Sequence, residues 1–501
     1  MEAQPLLHEY NKQRRAGVLL HPTSLPGDME GGDIGHHAYR FIEFLSSNGF
    51  KLWQMLPLGQ THDDKSPYQC LSSHAGNPLL ISLDWLRDRG WLDKSACQHP
   101  DKKPDKKDTL RIDCLRQASK AFYQTADSEW MDEIAVFKNE HQYWLNDYTL
   151  FIALKQHNNN KPWYEWPLAE RHCEPGALED ARCQLSDAIQ QTVFEQFIFF
   201  AQWQEVRAYA KQHHIELFGD MPFFVARDSA DVWAGRENFL IDADGDMPFV
   251  AGVPPDAFSE TGQRWGNPLY NWAYMKSTGF SWWKDRFKTQ LALFDMIRID
   301  HFRGLQACWY IPAEDETAIN GCWEEVPGSE MLSEMFSTFS HLPLIAEDLG
   351  VITDEVIALK KDFQLPGMKV LQFAFDGNNR NPHLPHCHQQ EDIIYTGTHD
   401  NDTSLGWAEN EHNYNKVYLR EYIHYDIESD EQTALSLIRL AMSSVSYLSI
   451  IPMQDLLMLD SASRMNMPGT VGGNWRWRFS WDQLRQDVIE TISLYMKLYQ
   501  R

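Results

Sequence analysis

The chain has 501 residues, too many for one simple core, and its 43% hydrophobic and 23% charged content is ordinary for a globular protein. A formal net charge of -26 argues against nucleic acid or an anionic membrane surface as a partner. The 19 tryptophans are the unusual feature: flat indoles pack on the apolar faces of sugar rings, which favours a carbohydrate ligand, although many such rings simply fill a core.

The N-terminal segment has no apolar stretch of signal-peptide length before its charges, and no later run approaches membrane-spanning length, so a cytoplasmic protein is expected. Residues 17–20 form a brief apolar run that breaks at HPTSLPG, a strand meeting a loop. A helix is predicted over about 37–48, and residues 51–57 form the next strand, opening into a polar loop at 59–66. The strand rhythm then stops. A proline-broken, solvated loop over 99–108 leads into helical segments, the clearest placing Phe194, Phe197, Ile198 and Ala201 on one face. Residues 81 to about 200 therefore read as a helical insertion wrapped on the rest.

The rhythm returns at 215–220, 296–300, 344–350, 368–375, 393–402 and 448–453. Eight strand candidates with mostly helical connections fit an α/β fold, a (β/α)8 TIM barrel over 1–501 with helical insertions and loops around the carboxyl-end face. In that fold Asp220, Asp300, Glu347 and Asp400, each closing a strand candidate, converge on one face. The eight cysteines are scattered without a CxxC pair and read as reduced thiols.

The run MIRIDHFRGL at 296–305 carries the sharpest chemical signal. A charge inside a buried strand is costly unless paired, and the nearest partner for Arg298 is Asp300, two residues on and on the same face. Arginine beside a carboxylate keeps it ionised, which suits a nucleophile; the plain alternative is an ion pair that only sets strand register. Glu347 follows an apolar run with no basic neighbour, so a raised pKa would suit it to be the acid, with Asp348 an equal candidate for that place. Two such carboxylates are the usual equipment for cleaving a glycosidic bond. His399 and Asp400 add a third acid with an imidazole alongside. His383, His386, Cys387 and His388 do not match structural zinc spacing and read as a surface loop, so no metal and no cofactor is expected.

Asp300 in RIDHFRG, Glu347 in AEDLG and Asp400 in GTHDNDT resemble the three catalytic acids of the 4-α-glucanotransferases, the amylomaltase or disproportionating-enzyme family (glycoside hydrolase family 77). LLHPTSLPG at 19–27, SPYQ at 66–69, AGNPLLIS at 75–82, WYEWP at 163–167, GDMPFFVARDSADVWA at 219–234, GVPPDAFSETGQRWGNPLYNW at 252–272 and QDLLMLDSASRMNMPGTVGGNWRWR at 454–478 extend the likeness over nearly the whole chain. The resemblance implies a covalent glucosyl intermediate on Asp300, Glu347 as acid then base, and Asp400 binding and distorting the sugar. It further implies that Arg298, His399 and Asp220 line that subsite with Tyr68 stacking on the ring. Asp256, Trp265 and Asn267 would belong to a cover loop at about 250–272, and Asn466 and Pro468 to a second loop at about 460–475. The implied partners are α-1,4-glucans and maltooligosaccharides, with glucose as acceptor or product. Departures from the family pattern fall at Ala257, where tyrosine is usual, at 71–74, and after HLPH at 383–386; they bear on chain-length preference rather than on the chemistry.

Three rivals stand beside a transglycosylase: an α-glucan hydrolase with the same acids, a metal-dependent barrel hydrolase using His21, His301, His399 and Asp400, and a catalytically dead glucan-binding protein. The first strand lacks an HxH pair, which disfavours the metal enzyme, and the intact acids disfavour the dead protein.

Overall fold

A computed structural model of the chain describes residues 13–27, 29, 31–94, 96, 107–255, 259–410, 413–424, 426–470 and 472–501. Its twelve strands, in chain order, are β1 (Arg15–Leu19), β2 (Leu52–Gln54), β3 (Glu216–Met221), β4 (Phe249–Val253), β5 (Gln263–Arg264), β6 (Met296–Ile299), β7 (Ala307–Pro312), β8 (Cys322–Glu325), β9 (Leu344–Ala346), β10 (Met368–Val370), β11 (Ile393–Tyr395) and β12 (Leu448–Pro452). Eight of them, in the order β10-β11-β12-β1-β2-β3-β6-β9, form one sheet in which every neighbouring pair is parallel. The Ala346 N–H, at the end of β9, donates to the Pro366 carbonyl just before β10 at 2.9 Å, so the two outer strands meet and the sheet nearly closes into a (β/α)8 TIM barrel. These are the eight expected strands. They are shorter than the apolar runs suggest, because MKV turns into a 3-10 turn (Leu371–Phe373) and IIY gives way to a loop well before Asp400.

Parallel strands buried on both faces need apolar side chains on both. One set, including Leu52, Phe218, Ile345, Val370 and Ile450, fills the barrel. The other faces the surrounding helices and belongs to a core that also takes in Phe151, Trp163 and Phe197 from the helical region between β2 and β3. There the helices are Leu83–Asp88, Lys107–Thr125, Ser128–Glu140, Gln142–His157, Leu168–Arg171, Pro175–Gln184 and Ser186–Gln212. The last of these is buried on more faces than its Phe194–Phe197–Ile198 stripe predicts, with Phe199 and Trp203 fully enclosed as well. Two buried glutamines on it bind backbone as a strand would. Gln196 accepts from Gly76 N–H (2.8 Å) and donates to its carbonyl (2.9 Å), and Gln202 does the same with Ser82 (2.8 and 3.1 Å). This helix thereby holds the segment that follows SPYQ.

The structure adds an element the sequence reading missed. β4, β5, β7 and β8 form an antiparallel sheet in the order β5-β4-β7-β8, so the expected cover loop at 250–272 contains a short strand pair. A small core of Val250, Ile311 and Ala318 supports it. Asp256 and Ala257 lie outside the described residues. The reading of all cysteines as reduced also needs correction: Cys70, Cys173, Cys183, Cys308, Cys322 and Cys387 are free, but Cys114 is disulfide-bonded, and its scattered place in the sequence gave no sign of it. No helix among the described residues is long and apolar enough to cross a membrane.

Candidate active site

β3 and β6 are neighbours in the sheet, and their register sets Asp220 directly beside Arg298. In-register residues of adjacent strands point to the same side, so the buried guanidinium meets two carboxylates rather than the one its own strand supplies. Arg298 Nη1 donates to both oxygens of Asp220, at 2.7 and 2.6 Å, while Nη2 reaches Asp300 Oδ1 at 2.9 Å. Tyr68 completes the group by donating its hydroxyl to Asp220 Oδ2 at 2.6 Å. Asp220 is the partner that sequence proximity could not reveal.

Arg298 does not hold Asp300 at the low pKa expected from an ion pair, because burial outweighs it. Burial pushes Asp300 up to about 6; Arg298 and His399 oppose the rise, and Asp220 and Asp400 add to it. Glu347, one residue past β9, is pushed further, to about 7, by burial first, with the Asp300 charge adding and Arg298 opposing. Its oxygens accept backbone N–H groups from His301 (2.8 Å) and Leu349 (2.9 Å). His301 achieves this by adopting a left-handed conformation, φ 49°, immediately after Asp300. Asp348 is separated from Glu347 by its contacts: it binds Lys360 Nζ at 2.5 Å and the Met368 N–H at 2.7 Å, on the barrel wall. The two adjacent acids are no longer equal candidates.

Asp400 stands in the loop after β11 with its side chain 46% exposed, the most open of the acids. Burial alone would raise its pKa, but His399 (Nε2 to Oδ2, 3.3 Å) and the Asn466 amide (2.6 Å) outweigh it and hold the carboxyl down at about 2. The His399 ring stacks on Tyr68 at 5.2 Å and 18°, and Trp475 leans on both rings at 5.9 Å. Asn466 also donates its N–H to the His399 carbonyl, and Arg464 donates to that of Asp400, so the 460–475 loop is fastened to this side of the site.

Asp220, Arg298, Asp300, Glu347, His399, Asp400, Tyr68 and Asn466 are thus joined by direct contacts or mutual charge. Trp265 reaches the group through His301, their rings edge to face at 4.8 Å. Asn267 is set further back: it is buried, donating to the Val225 carbonyl (2.8 Å) and accepting from Gln69 (3.3 Å), so its amide holds the neighbouring chain. Pro468 lies exposed in a turn of the 460–475 loop. The backbone donors at His301 and Leu349, and the Trp475 ring, were missed; of these only Trp475, inside the GNWRWR motif, left any trace in the sequence. Among the described residues no three His, Cys, Asp or Glu side chains gather to hold a metal ion. The imidazoles at 383, 386 and 388 each bond elsewhere, to the Val370 N–H, the Tyr422 hydroxyl and the Ser444 hydroxyl.

Residues 20–484 match the family model described as 4-alpha-glucanotransferase. A 4-alpha-glucanotransferase of Synechocystis is 45% identical over 498 residues, covering 98% of each chain, and one of Thermus thermophilus is 45% identical over 472 residues, covering 93% of this chain and 94% of the relative. An amylomaltase from Streptococcus agalactiae, solved in complex with acarbose, superposes with a TM-score of 0.94 at 37% identity, covering 98% of this chain and all of that one. On the match over most of its length, and on the likeness in sequence and structure that accompanies it, the chain belongs to the 4-alpha-glucanotransferase family, glycoside hydrolase family 77.

Proposed function

We propose that this chain is a retaining 4-α-glucanotransferase that moves segments of α-1,4-glucan onto the 4-hydroxyl of another glucan or of glucose. Asp300 attacks the anomeric carbon while Glu347 gives its proton to the departing glycosidic oxygen, and the reducing-end piece leaves. An acceptor then enters, Glu347 takes the proton from its 4-hydroxyl, and that oxygen displaces Asp300. Two inversions at one carbon restore the starting configuration.

Arg298, itself fixed by Asp220, holds Asp300; Arg298, His399 and Asp220 line the donor subsite with Tyr68 stacking on the ring, and Asp400 binds and distorts the sugar as positive charge develops. Trp265 and Asn466 belong to the two loops beside the cleft; Asp256, Asn267 and Pro468 are assigned to the same loops, with Asn267 acting through Gln69 and Val225. The chain is one catalytic barrel with a helical insertion, which a main core shared by both supports. The observation that carries the function is the gathering of three acids at one end of the barrel, with Asp300 bonded to Arg298 at 2.9 Å, Glu347 bonded to the backbone N–H of His301, the residue after Asp300, at 2.8 Å, and Asp400 bonded to Asn466 at 2.6 Å. The acarbose-bound relative agrees with an α-glucan substrate.

Incubation with maltotriose tests it. Transfer yields glucose and a ladder of longer oligomers; glucose and maltose with no ladder would make the chain a hydrolase.

A further inference from the structure

The antiparallel sheet beside the barrel mouth has two faces, and its register sorts them. Val250, Gly252, Trp309, Ile311 and Trp323 lie on one face, where Val250 and Ile311 build the small core. On the other, Ala251 pairs with Tyr310, Phe249 with Pro312, and Cys308 with Glu324. Ala251 and Cys308 join the main core, so this second face is turned toward the barrel at its inner part. Gln263 pairs with Val253 on the same face and accepts from Trp265 Nε1 at 3.1 Å, which places Trp265 there too. Trp265 stands against His301, whose N–H holds Glu347.

Follow that face outward and it ends in an aromatic pair. Phe249 is 38% exposed, although it begins a strand whose next residues are buried. Its ring lies 6.0 Å from that of the half-buried Tyr310, the two planes inclined at 48°. Scattered apolar residues on a surface are unremarked. Two tilted rings side by side, on the face that also carries an active-site tryptophan, make a shallow V that fits consecutive pyranose rings of a curling chain. Tyr310 sits about 10 Å from Trp265, two inter-strand spacings. Glu324, exposed on the same face, offers carboxylate oxygens to sugar hydroxyls and repels an anionic partner, as does the net charge of -26. A neutral polyol with apolar ring faces matches this surface, and the reaction's own polymer is one.

We propose that Phe249 and Tyr310 form a glucan-holding platform on the outer part of the four-stranded sheet, which binds a stretch of α-1,4-glucan continuing past the catalytic cleft. The proposal rests on the transferase reading for its ligand. Short substrates end inside the cleft and never reach the platform, whereas long ones are tethered by it.

The test uses the full chain with Phe249→Ala, Tyr310→Ala and both together, assayed on maltotriose and on amylose. The expected result is kcat/KM for maltotriose within about twofold of the unaltered protein and KM for amylose raised at least threefold, most in the double variant. Native gels containing amylose, run in an Asp300→Asn background to stop turnover, are expected to lose part of their retardation on the same substitutions. Unchanged retardation and unchanged amylose KM, with maltotriose activity intact, would overturn the platform. Phe249 is exposed enough to be replaced without disturbing the core, so the single variant decides the matter should Tyr310→Ala fold poorly. Failure of the unaltered protein to transfer glucan at all would strike the functional reading, while the gel, needing no turnover, still reads the platform by itself.

Discussion

Arg298 is shared between two acids. Its charge goes mostly to Asp220, through two hydrogen bonds, and only partly to Asp300. Burial raises both Asp300 and Glu347 above the usual carboxylate range, and the Arg298 charge opposes the rise at each without cancelling it. The sign of the activity profile follows. With Asp300 proposed as the ionised nucleophile and Glu347 as the proton donor of the first step, activity is expected to fall as pH drops through about 6 and as it rises through about 7. A bell in kcat/KM for maltotriose with its top between those limbs is the expected outcome, and since the two acids feel each other, the limbs belong to the pair. A rate that is flat through both values would contradict the assignment. Folding feels the same groups: both pKa values are raised, so these two acids weaken the fold as pH climbs from their ordinary range toward neutrality. Asp400 works in the opposite sense, its contribution persisting until pH falls toward about 2. At this scale the sequence showed Arg298 and Asp300 because they lie two apart on one strand. Asp220 stayed hidden as a partner because its nearness comes from the pairing of β3 with β6 across 78 positions of chain.

Among the elements, β3 shows how tightly the acids are mounted. A methyl group on Gly219 would sit 2.1 Å from the ring of Phe294, which is buried against the strand. Gly219→Ala must therefore move either that ring or β3 itself, and overpacking of this kind costs about 1–3 kcal/mol. Denaturant melts of the variant are expected to show that loss, with a fall in kcat/KM because Asp220 is the next residue; a variant as stable as the parent would mean the site tolerates movement of β3. The eight barrel strands were legible because each is an apolar run closed by polar residues, the pattern of strands buried on both sides. The second sheet was not, for a matching reason. Its strands mix exposed and buried positions, start or finish at Phe249, Pro312 and Glu325, and rest on a core of three buried side chains, so no stretch of them rises above its surroundings. Gln196 and Gln202 were equally silent, since a glutamine gives no hint in sequence that it will clasp buried backbone.

For the molecule as a whole, the curl of the barrel sheet gathers the proposed catalytic acids. Asp220 lies in β3, Asp300 and Glu347 just past β6 and β9, and Asp400 in the loop after β11, far apart in sequence, and the curling sheet brings the loop after β11 to the connection after β2, where His399 stacks on Tyr68. The helix Ser186–Gln212 braces that mouth from outside through Gly76 and Ser82, and the second sheet carries Trp265 to its edge. The central claim is that Asp300 takes the glycosyl group before any acceptor does. It is tested most directly by supplying Glu347→Gln protein with α-maltosyl fluoride, whose leaving group needs no acid, and mapping the peptides by mass spectrometry. The expected result is a maltosyl adduct on the peptide containing Asp300; an unmodified peptide together with release of β-maltose would contradict a two-step transfer.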